Sequence, residues 1–278
     1  MKIIDYSVAP TDRFDGDMTS EHLQDYTRLY KFAKREGIEQ FIDLLDEAGI
    51  SYAVVKARDV ETTHGLKIPN EYVAGLVKQY PKRLIGMAGV DPLKGHKAVE
   101  ELDHAVKDLG LLGLNLWSFE YNLYPHDKKF YPLYEKCIEL NIPVNMESSM
   151  HFSTKSYMDL SKPIYLDYIA VDFPELKIVG AKPGWPWVSE LVGVAWRHPN
   201  VYIATSSTRA IYLMKQGMGY EPLLQLGNSL LQDKIIYASG FPSVPLKRNL
   251  DELRQLPLKD EVKEKWLFRN AAKLLNIK

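Results

Sequence analysis

Short, continuously apolar runs alternate along this chain with longer stretches in which apolar residues recur every three or four positions. The runs predict strands over Lys2–Tyr6, Ser51–Lys56, Arg83–Gly89, Gly113–Leu116, Val144–Glu147, Lys177–Gly180, Val201–Thr205 and Ile235–Ala238. The intervening patterns predict helices over Gly37–Ala48, Asn70–Tyr80, His96–Leu109, Phe130–Leu140, Ile164–Asp172 and Val188–Arg197. A further helical region, broken by glycines, spans roughly Ile211–Leu230, and two more follow near Leu246–Gln255 and Lys259–Leu275. Gly49 and Gly110 stand where helices stop, and Pro143 and Pro174 lie just beyond two others, as terminating residues do.

Strands without polar alternation are buried on both faces, which parallel pairing with helical crossovers produces. Eight such units in 278 residues predict an α/β fold, a (β/α)8 TIM barrel forming a single domain over residues 1–278. A doubly wound sheet is the alternative, but no G-x-G-x-x-G follows the first strand. No linker or low-complexity segment interrupts the pattern. Residues 11–34, rich in Asp, Tyr and Arg, read as an insertion after the first strand, placed where it can lie over the barrel mouth.

Composition narrows the partners. With 35 Lys and Arg against 36 Asp and Glu, and no run of like charge, neither nucleic acid nor an anionic membrane is expected. The one cysteine, Cys137, excludes an intrachain disulfide and a cysteine-based zinc cluster; in its helical pattern it reads as a structural residue. The apolar start is too short for a secretion signal and no stretch reaches membrane-spanning length, so a cytoplasmic protein is expected.

Barrels of this kind place their chemistry at the C-terminal ends of the strands. The residues there are Ser7 and Ala9, Lys56 and Arg58, Asn115 and Trp117, Glu147, Lys182, Thr205 to Arg209, and Ser239 to Phe241.

Several segments carry a family resemblance: "RLIGMAGVDP" from Arg83, "FYPLYEKCIELNIPV" from Phe130, "DFPELKIVGAKPGWPW" from Asp172, "RHPNVYIATS" from Arg197, "LQDKIIYASGFPSVPL" from Leu231 and "RNAAKLL" from Arg269. In order, they resemble the amidohydrolase-related branch of the amidohydrolase superfamily, which includes aminocarboxymuconate-semialdehyde and γ-resorcylate decarboxylases. The resemblance implies a barrel, and a metal site built from an Asp followed by a His-x-His pair on the first strand, a histidine on the fifth and one on the sixth, and an aspartate after the eighth. At those positions this chain keeps Asp5 but has Ser7, Ala9, Glu147, Lys182 and Gly240. Asn115 stands where some members carry a bridging lysine. Zinc-type sites need about three His, Cys or carboxylate ligands. Of the five replaced positions only Glu147 offers one, so no metal and no cofactor are expected.

A carboxylate and an ammonium on neighbouring strands are costly in a barrel mouth unless paired or functional. Paired with Glu147, Lys182 stays protonated and can hold a substrate carboxylate or stabilise a developing oxyanion. Desolvated and poorly paired, it would become a Schiff-base nucleophile; a structural ion pair filling the vacated pocket is the third reading. Arg58 and Arg209 are candidate carboxylate clamps or loop braces. Trp117 offers a flat wall, with Trp185 and Trp187 nearby. Asn115, Ser7 and His151, the one histidine close to the mouth, complete the candidate substrate contacts.

Three functions follow. The first is a metal-independent enzyme acting on a small carboxylate-bearing, aromatic or conjugated substrate, by decarboxylation, lactone or C–C hydrolysis, or isomerisation, with Lys182 and Glu147 in place of the metal. The second is a non-catalytic relative that binds a small molecule or a partner subunit. The third is a conventional metal-dependent hydrolase with a relocated site. The resemblance also implies a homodimer.

Overall fold

The computed structural model describes residues 1–11 and 37–277. The expected insertion at 11–34 therefore lies, apart from Thr11, outside the described residues. The eight expected strands all form, as β1 (Ile4–Val8), β2 (Tyr52–Lys56), β5 (Leu84–Met87), β6 (Leu114–Leu116), β7 (Val144–Met146), β8 (Ile178–Gly180), β9 (Val201–Ala204) and β10 (Ile235–Ile236). Between β2 and β5 lies a small antiparallel hairpin that the apolar pattern does not reveal, β3 (Arg58–Val60) and β4 (Leu66–Ile68).

The eight long-range strands are parallel, in two sheets ordered β1-β2-β5 and β10-β9-β8-β7-β6. Backbone hydrogen bonds join the sheets at both seams. Between β5 and β6, Ala88 N donates to Gly113 O at 2.7 Å and Asn115 N to Ala88 O at 2.7 Å. Between β10 and β1, Tyr6 N donates to Tyr237 O at 3.0 Å and Ala9 N to Phe241 O at 2.8 Å. The strands thus run as one ring with all C-terminal ends on the same side, as in a TIM barrel.

Alternation along each strand sorts its residues between two layers. Outward residues such as Ala53, Val55, Val144, Met146, Ile178 and Ile203 pack against the helices. Inward residues Ile4, Tyr6, Val54, Ile85, Met87, Val179, Ala204, Ile236 and Ala238 fill the barrel. The helices supply matching stripes. Helix Val188–Arg197 buries Val188, Leu191, Val192 and Ala195, a three-and-four spacing that turns one face to the sheet. Helix Ile38–Ala48 buries Phe41, Leu45 and Ala48 and stops at Gly49, whose φ of 74° is the left-handed cap that glycine adopts without penalty. Cys137 is fully buried in helix Tyr131–Glu139, and burial pushes its thiol well above the ordinary range. Among the described residues no helix is long and apolar enough to cross a membrane.

Candidate active site at the barrel mouth

The loops after β7 and β8 are sewn together. Ser148 Oγ donates to Lys182 O at 2.7 Å, Gly184 N donates to Ser149 Oγ at 2.8 Å, and Met150 N donates to Trp185 O at 2.9 Å. This stitching carries two side chains into contact: Lys182 Nζ lies 2.7 Å from Glu147 Oε2. Glu147 is two residues beyond the inward Asn145 and therefore on the same, barrel-facing side. Its other oxygen accepts from Ser148 N and Ser149 N, both at 3.1 Å. The carboxylate is fully buried while the lysine side chain keeps 12% of its surface exposed. The ion pair expected from the sequence is present, with the ammonium on its solvent side.

An aromatic wall stands beside it. Lys182 Nζ is 5.9 Å from the centre of the Trp117 ring, with the Arg58 guanidinium 5.3 Å from the same ring. Phe119 stacks on His151 at 4.1 Å, nearly parallel. His151 is buried, and its Nε2 is 2.9 Å from Tyr157 O. A carbonyl only accepts, so Nε2 carries the proton and Nδ1 is the bare acceptor. Burial lowers the ring's proton affinity, and among the described residues Nδ1 finds no partner. The indole N–H of Trp117 is likewise buried and unsatisfied. Buried polar atoms are normally bonded, which makes these two candidates for contact with a ligand's polar groups.

The two arginines are engaged elsewhere. Arg58 forms a two-pronged ion pair with the buried Glu120, its Nε 3.0 Å from Oε2. Arg209 pairs in the same way with Glu252 of helix Leu246–Arg254, and that carboxylate also accepts from Ile211 N and Arg248. Both brace loops. Asn115 is occupied too: it donates to Ala57 O at 3.3 Å and accepts from Asn145 Nδ2 at 2.9 Å. Among the described residues Asn145 Oδ1 is left buried without a partner. Ser7 sits at the end of β1, where its N–H donates to Asp5 Oδ1 at 3.2 Å and its carbonyl accepts from Gly240 N at 3.0 Å.

Two further groups belong to the mouth, both noted in the sequence but given no role there. Asp5 is fully buried and holds β1 to the β10 loop, its Oδ1 accepting from Ser239 N at 2.9 Å. Among the described residues its Oδ2 has no partner, and burial pushes the carboxyl up to about 6. Lys56 follows Val54 on the inward face of β2 and lays its Nζ 4.9 Å from the centre of the Tyr6 ring. It is 8% exposed. Burial pulls the ammonium down to about 7, against the opposing pull of Asp5 and Glu147. The signal was available: a lysine ending an otherwise apolar strand, two residues after a core valine.

A divalent metal of the family kind does not fit these residues. Among the described residues no group of three His, Cys, Asp or Glu is placed to hold one. Glu147 is already neutralised by Lys182. At Gly240, where the family aspartate would stand, φ is 70° and a Cβ would lie 2.3 Å from Ser207 N, so the backbone leaves no room for that side chain.

Comparison with known proteins accords with this architecture. The sequence finds no match among curated proteins. An uncharacterised TIM-barrel protein from Bordetella bronchiseptica superposes with a TM-score of 0.85 at 26% identity, over 99% of each chain. The 5-carboxyvanillate decarboxylase of Sphingomonas paucimobilis gives 0.72 at 17% identity, over 100% of this chain and 99% of that one. A dihydroxybenzoic acid decarboxylase from Polaromonas sp. JS666, solved with manganese and 2-nitroresorcinol, gives 0.70 at 16%, over 99% and 97%. At such identities the two decarboxylases speak to the fold alone. The family model of the amidohydrolases matches residues 7–277, nearly the whole length, and the chain belongs to the amidohydrolase family.

Proposed function

We propose that this protein is a metal-independent decarboxylase of a small carboxylate whose acid group is conjugated to an oxygen function. The observation that carries the reading is the Lys182–Glu147 pair, 2.7 Å apart at the C-terminal mouth of the barrel, where folds of this kind do their chemistry. The decarboxylases among the structural neighbours share this fold, and theirs is the reaction class proposed here.

Loss of carbon dioxide leaves an electron pair on the carbon that carried it. If that carbon is conjugated to an oxygen, the charge moves onto the oxygen, and a fixed positive group there lowers the barrier. Lys182 supplies such a group beside the carboxylate it binds, next to an oxygen on the neighbouring carbon; Glu147, held by two backbone N–H donors, keeps it protonated and aimed. The ring of Trp117 provides a flat apolar wall for a planar substrate, and His151 Nδ1 an acceptor for a hydroxyl. Lys182 receives the substrate rather than Arg58 or Arg209, whose guanidinium groups are spent on Glu120 and Glu252. The family resemblance adds a homodimer to this proposal.

The test is calorimetric titration of benzoate and hydroxybenzoates, with carbon dioxide release followed in parallel, on protein dialysed against a chelator. Binding is expected to survive chelation and to weaken at least tenfold in Lys182→Met. Stoichiometric zinc or manganese, with activity lost on its removal, would overturn the metal-independent reading.

A further inference from the structure

Lys182 is fixed by its carboxylate partner and so is a poor nucleophile, since an amine attacks only when it has lost its proton. Lys56 is built differently. Among the described residues its Nζ makes no hydrogen bond and no ion pair; its one direct contact is the face of Tyr6. A buried ammonium without a partner is among the most expensive groups a fold can hold, and the face of the Tyr6 ring inside the barrel offers Lys56 only a cation–π contact in place of one. The charged groups that act on Lys56 are Asp5 on β1 and Glu147 after β7. Neither closes to ion-pair distance. Lys56 therefore rises into the mouth from the β2 side, while Lys182 enters it from the end of β8.

We propose that Lys56 is an imine-forming nucleophile and that the substrate of this site is a 3-oxo acid, its ketone taken by Lys56 and its carboxylate lying on the Lys182 side. The proposal rests on the reading of the mouth as a carboxylate site. The neutral amine adds to the ketone carbon, and the carbinolamine loses water to give a protonated imine. The C–C bond to the carboxylate then breaks, carbon dioxide leaves, and the bonding pair moves into the iminium to give an enamine. A proton added to the enamine carbon and one water returned to the imine release the ketone and regenerate the lysine. No oxidant, reductant or further reactant is needed. Burial brings the amine to about 7, so near neutral pH the reactive form is on the order of a thousandfold more abundant than for an ordinary lysine.

The experiment is borohydride reduction at pH 7 in the presence of acetoacetate or pyruvate, with the modified residue located by peptide mass spectrometry. A reduced adduct is expected on Lys56, at least tenfold ahead of any other lysine, and absent from Lys56→Arg, which keeps the charge but cannot form an imine. Adducts spread over surface lysines, or none at Lys56, would overturn the proposal. Should the variant fail to fold, the site of trapping in the unaltered protein decides alone. Benzoate affinity in Lys182→Met is read separately. Its loss together with no trapping sinks the imine and keeps the carboxylate site, whereas trapping at Lys56 with no carboxylate binding sinks the parent reading.

Discussion

Glu147 is wholly buried, and its neutralising charge comes from Lys182, 2.7 Å away on the adjacent strand end. Removing the ammonium alone strands a carboxylate in a low-dielectric pocket. Lys182→Met is expected to cost roughly 3–5 kcal/mol, the range for breaking a buried pair. Adding Glu147→Gln removes the orphaned charge, so the double variant is expected to recover much of that loss. Urea unfolding of the two single variants and the double one gives the coupling directly; additive losses would contradict a buried pair.

The two arginine braces differ in depth, and their variants should separate accordingly. Glu120 is almost fully buried beneath Arg58, so Arg58→Met is expected to destabilise by roughly 3 kcal/mol. The Arg209 side chain is 31% exposed, and Glu252 keeps Arg248 and the Ile211 N–H when it is lost. Arg209→Met is expected to cost about 1 kcal/mol or less, because solvent screens the pair. Chemical denaturation measures both. Benzoate affinity in Arg209→Met should stay within about twofold, since the group does not serve the ligand.

The barrel was legible because parallel strands buried on both faces leave continuous apolar runs, and all eight such runs became strands. The hairpin Arg58–Ile68 left no such trace. Its strands are three residues each and polar in part, and it is pinned by charge: Asp59 is held across the hairpin by Lys67 at 3.0 Å and from outside it by Lys94 at 2.8 Å. The Glu147–Lys182 contact could be anticipated because β7 and β8 are neighbours in a ring. The pairing of Arg58 with Glu120, 62 positions apart in the chain, could not, since either arginine was compatible with a clamp or a brace. Lys56 reads in sequence as the polar end of a strand. Only the inward side of Val54 and Tyr6 shows that it is inside.

The end of β10 is closed to the family's aspartate. Gly240 has φ 70°, and any side chain there would run into the Ser207 backbone. Gly240→Asp is expected to destabilise the protein by about 1–3 kcal/mol, the cost of a strained left-handed residue, with steric displacement of the Ser207 loop added. No metal affinity should be gained. Thermal melts with and without added zinc or manganese check both halves; a melting point raised by metal in the variant alone would show the site to be restorable.

Lys56 also makes stability depend on pH in a direction that can be worked out. Its proton affinity is lower in the fold than in the unfolded chain, about 7 against an ordinary 10.5. Between those values the unfolded chain binds the extra proton, so stability from this group rises with pH from about 7 to 10.5 and is lowest below 7. Asp5 runs the other way: its carboxyl is raised to about 6 from 3.8, so its burial costs stability as pH climbs through that window and contributes no slope above it. Lys56→Met removes the first group. The variant should be more stable than the parent at pH 6.5, by up to a few kcal/mol at about 1.4 kcal/mol per tenfold change in proton affinity, and the gain should shrink toward pH 10. Melting curves at pH 6.5, 8 and 10 measure it. A gain that is constant with pH would mean that Lys56 keeps its proton throughout.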